Sequence, residues 1–514
     1  MLNTRLNLAS RLIHNCRISL WNNNNTKMRN FYVKKFGIAL TASVVIAAGF
    51  AGCSKNDKDK TEVPPPASIT LKSYSKTPAL VLKKSGFENL EVFSLFSSED
   101  SFEQSPNYVF GGSADGAGTI KTADGGFVMM VNNEDNWSVS RITLDKNFKP
   151  IKGEYSLNSD GGQARLCSGT MVTPEVHGFG PLYLSAGESN VEAQTHSLNP
   201  LAAGMQTNTL TQGFGHWSAE NAVPLPKEAY AGKTVVLIGE DADDASGGQL
   251  VLYVSNTVGD LNNGTQYMLK RTDNNQTETA MTVGNTYDVE FVKVENHKTI
   301  TGVQTQALVD PLKAIKFGRV EDIDYRKGGA EAGREIYFNV TGQAATGVNA
   351  AKSRTVFGRT YKLVMDANDP TKGKLQCILD GDDDNGPAKE FQNPDNICVT
   401  KNYVYIQEDS NTYGAETHDA YIYQYNIATK ELKVVLELDH RRNDPKFGAT
   451  AAKGNWEYGA LVDISDLIGV PDTFTLSVQP HTWVGEAFKN KDGGTKRPNE
   501  SQASQIVILK GLAR

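Results

Sequence analysis

Between residues 68 and 514 the apolar positions fall in short runs separated by Gly, Asn and Asp, and no helical period persists beyond about two turns. The clearest runs span 126–132, 182–186, 234–238, 249–255, 335–340, 361–365, 403–408, 421–425, 474–479 and 505–509. They are rich in Val, Ile, Leu, Tyr and Phe, so they predict strands, and no Pro/Ser linker divides the series. A single sheet cannot hold so many strands without curling or splitting, whereas radial repetition leaves only short edges. The expectation is therefore one all-β domain over 68–514, a β-propeller of six or seven blades. No strict repeat at a fixed period is visible, so this expectation rests on the number and length of the strands, and a pair of sandwich domains stays open. The 47 glycines suit the tight hairpins that such a fold needs.

The first 52 residues carry a different pattern. From Met28 a basic stretch (Arg29, Lys34, Lys35) precedes an apolar run at 36–48, too short to span a bilayer comfortably, and then Phe50-Ala51-Gly52-Cys53. These four residues resemble a bacterial lipobox. The resemblance implies cleavage before Cys53, lipidation of Cys53 and a membrane anchor without a spanning helix. Met28 is the expected true start, and the competing reading is an uncleaved N-terminal membrane helix. Residues 53–67 are polar and charged and include three consecutive prolines (Pro64, Pro65, Pro66), which makes them a tether. A charged stretch directly after the lipid cysteine resembles the export signals of surface lipoproteins in Bacteroidetes, which implies display on the outer membrane.

Charge narrows the partners. The leader holds seven basic and no acidic residues, so the chain from Cys53 onward has 45 basic against 59 acidic side chains and a net charge near −14. That balance argues against nucleic acid and against anionic lipid surfaces, and it favours cations as ligands. Three cysteines, Cys167, Cys377 and Cys398, lie beyond the anchor, so at least one thiol is unpaired or bound to something else.

Five segments gather chemistry at predicted strand ends. They are Arg165-Leu166-Cys167-Ser168-Gly169-Thr170 with the following strand to Glu188; Gly215-His216-Trp217-Ser218-Ala219-Glu220; Gly239-Glu240-Asp241; Phe317-Gly318-Arg319-Val320-Glu321; and Pro394-Asp395-Asn396 with the following strand to Asp409. In this order they resemble the PhoX-type alkaline phosphatases, secreted β-propeller enzymes that hydrolyse phosphate monoesters at an iron and calcium cluster. The resemblance implies Cys167, Glu188, Glu220, Glu321, Asp395 and Asp409 as metal ligands, Arg319 facing the phosphate, and iron and calcium as cofactors. Those residue types suit that chemistry: calcium takes several carboxylate oxygens, a thiolate favours iron, and an arginine two residues from a ligand on a strand shares its face.

The chain departs from that pattern at three points. Gly187 stands where the family has a second glutamate, Ala219 where it has a histidine, and Val320 where it has a proline. The first two remove potential ligands. Taken singly, Glu188, Glu220 and Glu321 also read as solvated strand ends, Cys167 as a small buried hydrophobe, and Asp395-Asn396 as turn residues. Glu240, Asp241, Asp243 and Asp244 read as a solvated loop tip. The aspartates of 380–386 lack the glutamate of a calcium-binding loop. His481 follows a predicted strand and could reach the site or the surface. No Gly-x-Ser-x-Gly elbow is present. Two functions compete: a metal-dependent phosphomonoesterase acting on phosphate monoesters or another small anionic ligand, and a non-catalytic propeller that binds a ligand or docks on an outer-membrane protein.

Overall fold

The computed structural model describes residues 69–409, 416–449 and 452–514. The leader, Cys53 and the tether lie outside these residues. The described chain is a six-bladed β-propeller. Its inner strands, in chain order, are Ala114–Lys121, Arg165–Val172, Ala219–Pro224, Val320–Tyr325, Pro394–Val399 and Glu457–Asp463, each packed against the next, with the sixth against the first. The choice between six and seven blades is thereby settled, and the sandwich alternative is excluded. Helices among the described residues are single turns of at most five residues.

Within each blade the strands pair antiparallel with their neighbours in sequence. The ends of the chain meet in the sixth blade, where Glu91–Ser97 pairs with Gln505–Lys510 as the outermost strand. A second early strand, Val81–Lys83, pairs with Leu432–Leu438 at the edge of the fifth blade. The third and fourth blades are joined at their rims, because Tyr287–Val294 pairs with Lys372–Asp380 to give one continuous sheet.

The core is divided among the gaps between blades. Along Phe127–Asn133, Phe127, Met129 and Val131 pack towards the sixth blade, while Val128 and Met130 pack towards the second. Both faces of such a strand are dry, which is why it reads as a continuous apolar run rather than an alternating one. Each buried side chain of this kind contributes about 1.5–3 kcal/mol. Six apolar clusters of this sort fill the six gaps.

Two features place side chains on the axis. Glycine lets the inner strands close: a Cβ on Gly459 would lie 2.6 Å from Asp115 Cα, and one on Gly116 would lie 2.3 Å from Gly169 N. In addition, every inner strand slips register near its start, at Ala114/Ala117, Leu166/Gly169, Ala219/Asn221, Val320/Ile323, Pro394/Ile397 and Tyr458/Leu461. A bulge bends its strand and re-aims the side chains within it.

Candidate metal centre

The bulges are occupied by metal-ligating residue types. Asp115, Cys167, Glu220, Glu321 and Asp395 lie within the first five, and Glu457 immediately precedes the sixth. A second set comes from the point where each second strand ends: Glu134, Glu188, Asp241, Asp409 and His481 from the first, second, third, fifth and sixth blades. The fourth blade breaks the pattern. Its second strand, Glu335–Val340, is followed by Thr341, and it instead contributes Arg319 from the residue before its inner strand. Arg319 has a φ of 73°, a left-handed backbone that is unusual away from glycine.

These side chains line one cavity of about 360 Å³ on the propeller axis, together with Asp135, Arg165 and Gln502. Ten carboxylates and two arginines face it, and most of the carboxylates are buried. So many anions cannot all stay ionised in a shared, partly dry space without cations. Burial and then the neighbouring carboxylates push Glu188 and Glu321 well above the usual carboxylate range, and burial foremost raises Glu220 to about 8. Cys167 is raised likewise, by burial and then by Glu188.

Three sets of donors have ligand atoms within 4.8 Å of one another: Asp115 with Glu134 and Cys167, Cys167 with Glu188 and Glu220, and Glu220 with Glu321 and Asp395. Shared members chain the sets together. Asp115 Oδ1 and Asp395 Oδ1 are buried without a hydrogen-bond partner, which a cation would remedy. The donors therefore fit hard cations at the carboxylate end, and a softer one where Cys167 joins two of the sets. Cys167 Sγ donates to Glu188 Oε2 at 2.9 Å, and Ser168 N donates to Glu220 Oε1 at 3.1 Å, so both carboxylates are held in place.

The arginines stand at the outer end, where the cavity opens into a polar mouth lined by both, with Ser189, Asn190 and Gln306. Arg319 donates to Asp241 through Nε (2.6 Å) and Nη2 (3.0 Å), and Nη2 lies 3.3 Å from Glu321 Oε1. Burial alone would raise Asp241, but Arg319 beside it holds its carboxyl below the usual range. Arg165 bridges Glu134 (2.8 Å) and Asp135 (3.2 Å).

All seven residues singled out in the sequence for the site, Cys167, Glu188, Glu220, Arg319, Glu321, Asp395 and Asp409, line this one cavity. His481 lines it as well. Asp115, Glu134, Asp135 and Glu457 were not singled out, because their equivalence from blade to blade becomes visible only once the strands are paired. Glu240 and Asp241, expected in a solvated loop tip, are instead buried, and only Asp243 and Asp244 are exposed. The solvated reading failed because the second strand of the third blade runs to the axis before the chain turns outward. In the 380–386 loop, Asp380 pairs with Arg359 at 2.6 Å and Asp382 accepts from Val356 N and Phe357 N, so these aspartates serve the turn. Cys167, Cys377 and Cys398 are all free thiols.

No protein-family model matches the sequence, and no curated protein matches it. Among solved structures the chain is similar to Pseudomonas fluorescens PhoX in complex with vanadate, a transition state analogue. The two are 13% identical, the likeness covers 86% of this chain and 97% of that one, and the TM-score is 0.57. It is also similar, at a TM-score of 0.35 and 11% identity, to the calcium-binding protein regucalcin from Agrobacterium tumefaciens, over 78% of this chain and 93% of that one. The PhoX likeness is one of fold.

Proposed function

We propose that this protein is a metal-dependent phosphomonoesterase of PhoX type, carried on the outer membrane by a lipid on Cys53 and acting on small phosphate esters outside the cell. The observation that carries the reading is the convergence of seven residues, chosen for their resemblance to that family, on one acidic axial cavity. A phosphate dianion would be repelled by ten carboxylates alone. The three donor sets would hold cations that reverse that sign: Glu220, Glu321 and Asp395 would suit calcium, and the sets that include Cys167 would suit iron. When bound, such cations supply charge neutralisation at the phosphoryl group and activation of a water.

The chain's own side chains have separate tasks. Arg319 stands at the cavity mouth with a positive charge that would face a phosphoryl group, and Asp241, across its Nε–Nη2 edge, fixes its plane. Cys167 and Glu188 hold each other in register for ligation. Asp115 and Glu134, which complete one of the donor sets with Cys167, supply carboxylates beyond the segments that carry the resemblance.

The test is elemental analysis of the purified protein alongside p-nitrophenyl phosphate hydrolysis with calcium present, for wild type and Glu321→Ala. Bound iron and calcium, with turnover that disappears in the variant, is the expected result. A folded β protein that binds neither metal and turns nothing over would discard the phosphatase and leave a ligand-binding or docking propeller.

A further inference from the structure

The inner strands carry the metal-ligating residue types near their starts, and their far ends line a second cavity, of about 390 Å³, at the other end of the propeller axis. No residue lines both this cavity and the acidic one. Ser168 and Asn396 stand between the two on their strands, both buried, with Asn396 Nδ2 donating to Ser168 Oγ at 2.7 Å. Each of the six inner strands brings an apolar residue to the second cavity: Ala117, Met171, Val223, Ile323, Ile397 and Val462.

The charges around it are already matched. Lys327 pairs with Asp324, which also accepts from Val399 N at 2.7 Å. Arg514 binds Asp463 through Nε at 2.6 Å and both oxygens of Asp466 at 3.0 and 2.8 Å. Asp322 accepts from Asn221 Nδ2, from Ile323 N at 2.7 Å and from Ile397 N at 3.1 Å. Four carboxylates against two cations disfavour an anion, and each carboxylate is taken up by hydrogen bonds rather than open to a cation. The occupant that these groups suit carries no charge.

His177 supplies a polar group still free for a ligand. It ends the single turn Pro174–His177, is buried, and lines the cavity. Its ring packs edge-on to Phe179 with centroids 6.4 Å apart, and Thr173 N donates to Nδ1 at 3.0 Å. Nδ1 is therefore the acceptor and Nε2 carries the hydrogen, in a ring that burial keeps neutral by lowering its pKa to about 4. Among the described residues nothing accepts from Nε2, and a buried donor left without a partner is costly.

We propose that this cavity binds an uncharged organic molecule with an apolar body and a carbonyl oxygen, the oxygen accepting from His177 Nε2. The apolar ends of the six strands supply the binding energy, and the imidazole fixes the orientation, the usual division of labour in a small-molecule pocket. The site is separate from the phosphomonoesterase reading and does not depend on it.

The experiment is fluorescence titration of the purified protein with prodan, an uncharged naphthalene ketone. Its emission moves to the blue in dry surroundings and back towards the red when its carbonyl accepts a hydrogen bond. Wild type is expected to bind one equivalent saturably with blue-shifted emission. His177→Phe is expected to bind about fivefold or more weakly and to shift the bound emission further to the blue, because the donor is gone. Ala460→Phe, at a half-buried position that lines the cavity, is expected to abolish saturable binding while circular dichroism shows the same fold. Should that variant not fold, His177→Phe decides alone. Emission that rises without saturating, an affinity and bound spectrum that His177→Phe leaves unchanged, or saturable binding that survives in folded Ala460→Phe would each overturn the proposal.

Discussion

Arg319 and Asp241 meet through two parallel contacts, Nε to Oδ1 at 2.6 Å and Nη2 to Oδ2 at 3.0 Å, across the gap between the third and fourth blades. The pair is mostly buried, and its cation is the group proposed to face phosphate. Asp241→Asn keeps the shape and removes the charge and one acceptor. Inorganic phosphate is then expected to inhibit about tenfold more weakly, roughly 1.4 kcal/mol, with metal content unchanged. An unaltered inhibition constant would show that Asp241 does not orient the guanidinium for phosphate.

Glu321 separates a metal site from an ordinary acidic cluster by the sign of its effect. Burial and neighbouring carboxylates oppose its ionisation, so in metal-free protein Glu321→Gln relieves repulsion. The variant is expected to melt about 2–4 °C above wild type in chelator and to gain less than wild type when calcium is added. Calcium shifts of equal size in the two proteins would remove Glu321 from the ligand set.

Glu278 acts on Arg319 from behind. This fully buried carboxylate accepts from Gly318 N at 2.8 Å, Thr355 N at 3.2 Å and Tyr361 Oη at 3.1 Å, and burial raises it to about 7. It therefore pins the backbone one residue before the left-handed Arg319. Glu278→Ala is expected to cost about 2–4 kcal/mol in urea denaturation, by leaving those donors unpaired over a cavity. Glu278→Gln, which retains an acceptor, is expected to stay folded and to raise KM more than it lowers kcat.

Outside the lining of the cavity, His196 gives stability a pH dependence. It is buried in the second blade, with Nδ1 2.7 Å from Thr209 Oγ1 and Nε2 3.2 Å from Gly162 O, and burial lowers its pKa from 6.5 to about 4. Between those values the unfolded chain takes up a proton that the folded chain refuses, so this contribution is present above pH 6.5 and is lost as pH falls towards 4. Its share amounts to about 2 kcal/mol between pH 7 and pH 5. His196→Gln is expected to reduce the loss of stability between those two pH values by that amount, whatever its effect at pH 7. His177, lowered similarly by burial, leaves a remainder in the variant.

Much of the fold is local information. The run at 126–132 is apolar without alternation because it fills two gaps at once, and repetition of such runs with glycine-rich turns already points to a propeller. The number of blades is not local. Whether Tyr287–Val294 and Lys372–Asp380 begin a blade of their own or join two rims depends on pairing between strands distant in sequence, and here they join.

The site divides in the same way. Cys167, Glu188, Glu220, Arg319, Glu321, Asp395 and Asp409 could be marked in the sequence because each stands in a short segment with a recognisable order. Asp115, Glu134 and Glu457 have no such surroundings, and Asp241 reads as one more acid in an acidic turn. What makes them part of the cavity is closure of the ring. Gly116 and Gly459 bring inner strands together, and a bulge in each turns its side chains to the axis. Residue types and strand propensity are properties of single segments, and the sequence determines them by itself. The burial and mutual repulsion that make these acids a candidate metal centre exist only where six blades converge, and that convergence belongs to the tertiary structure.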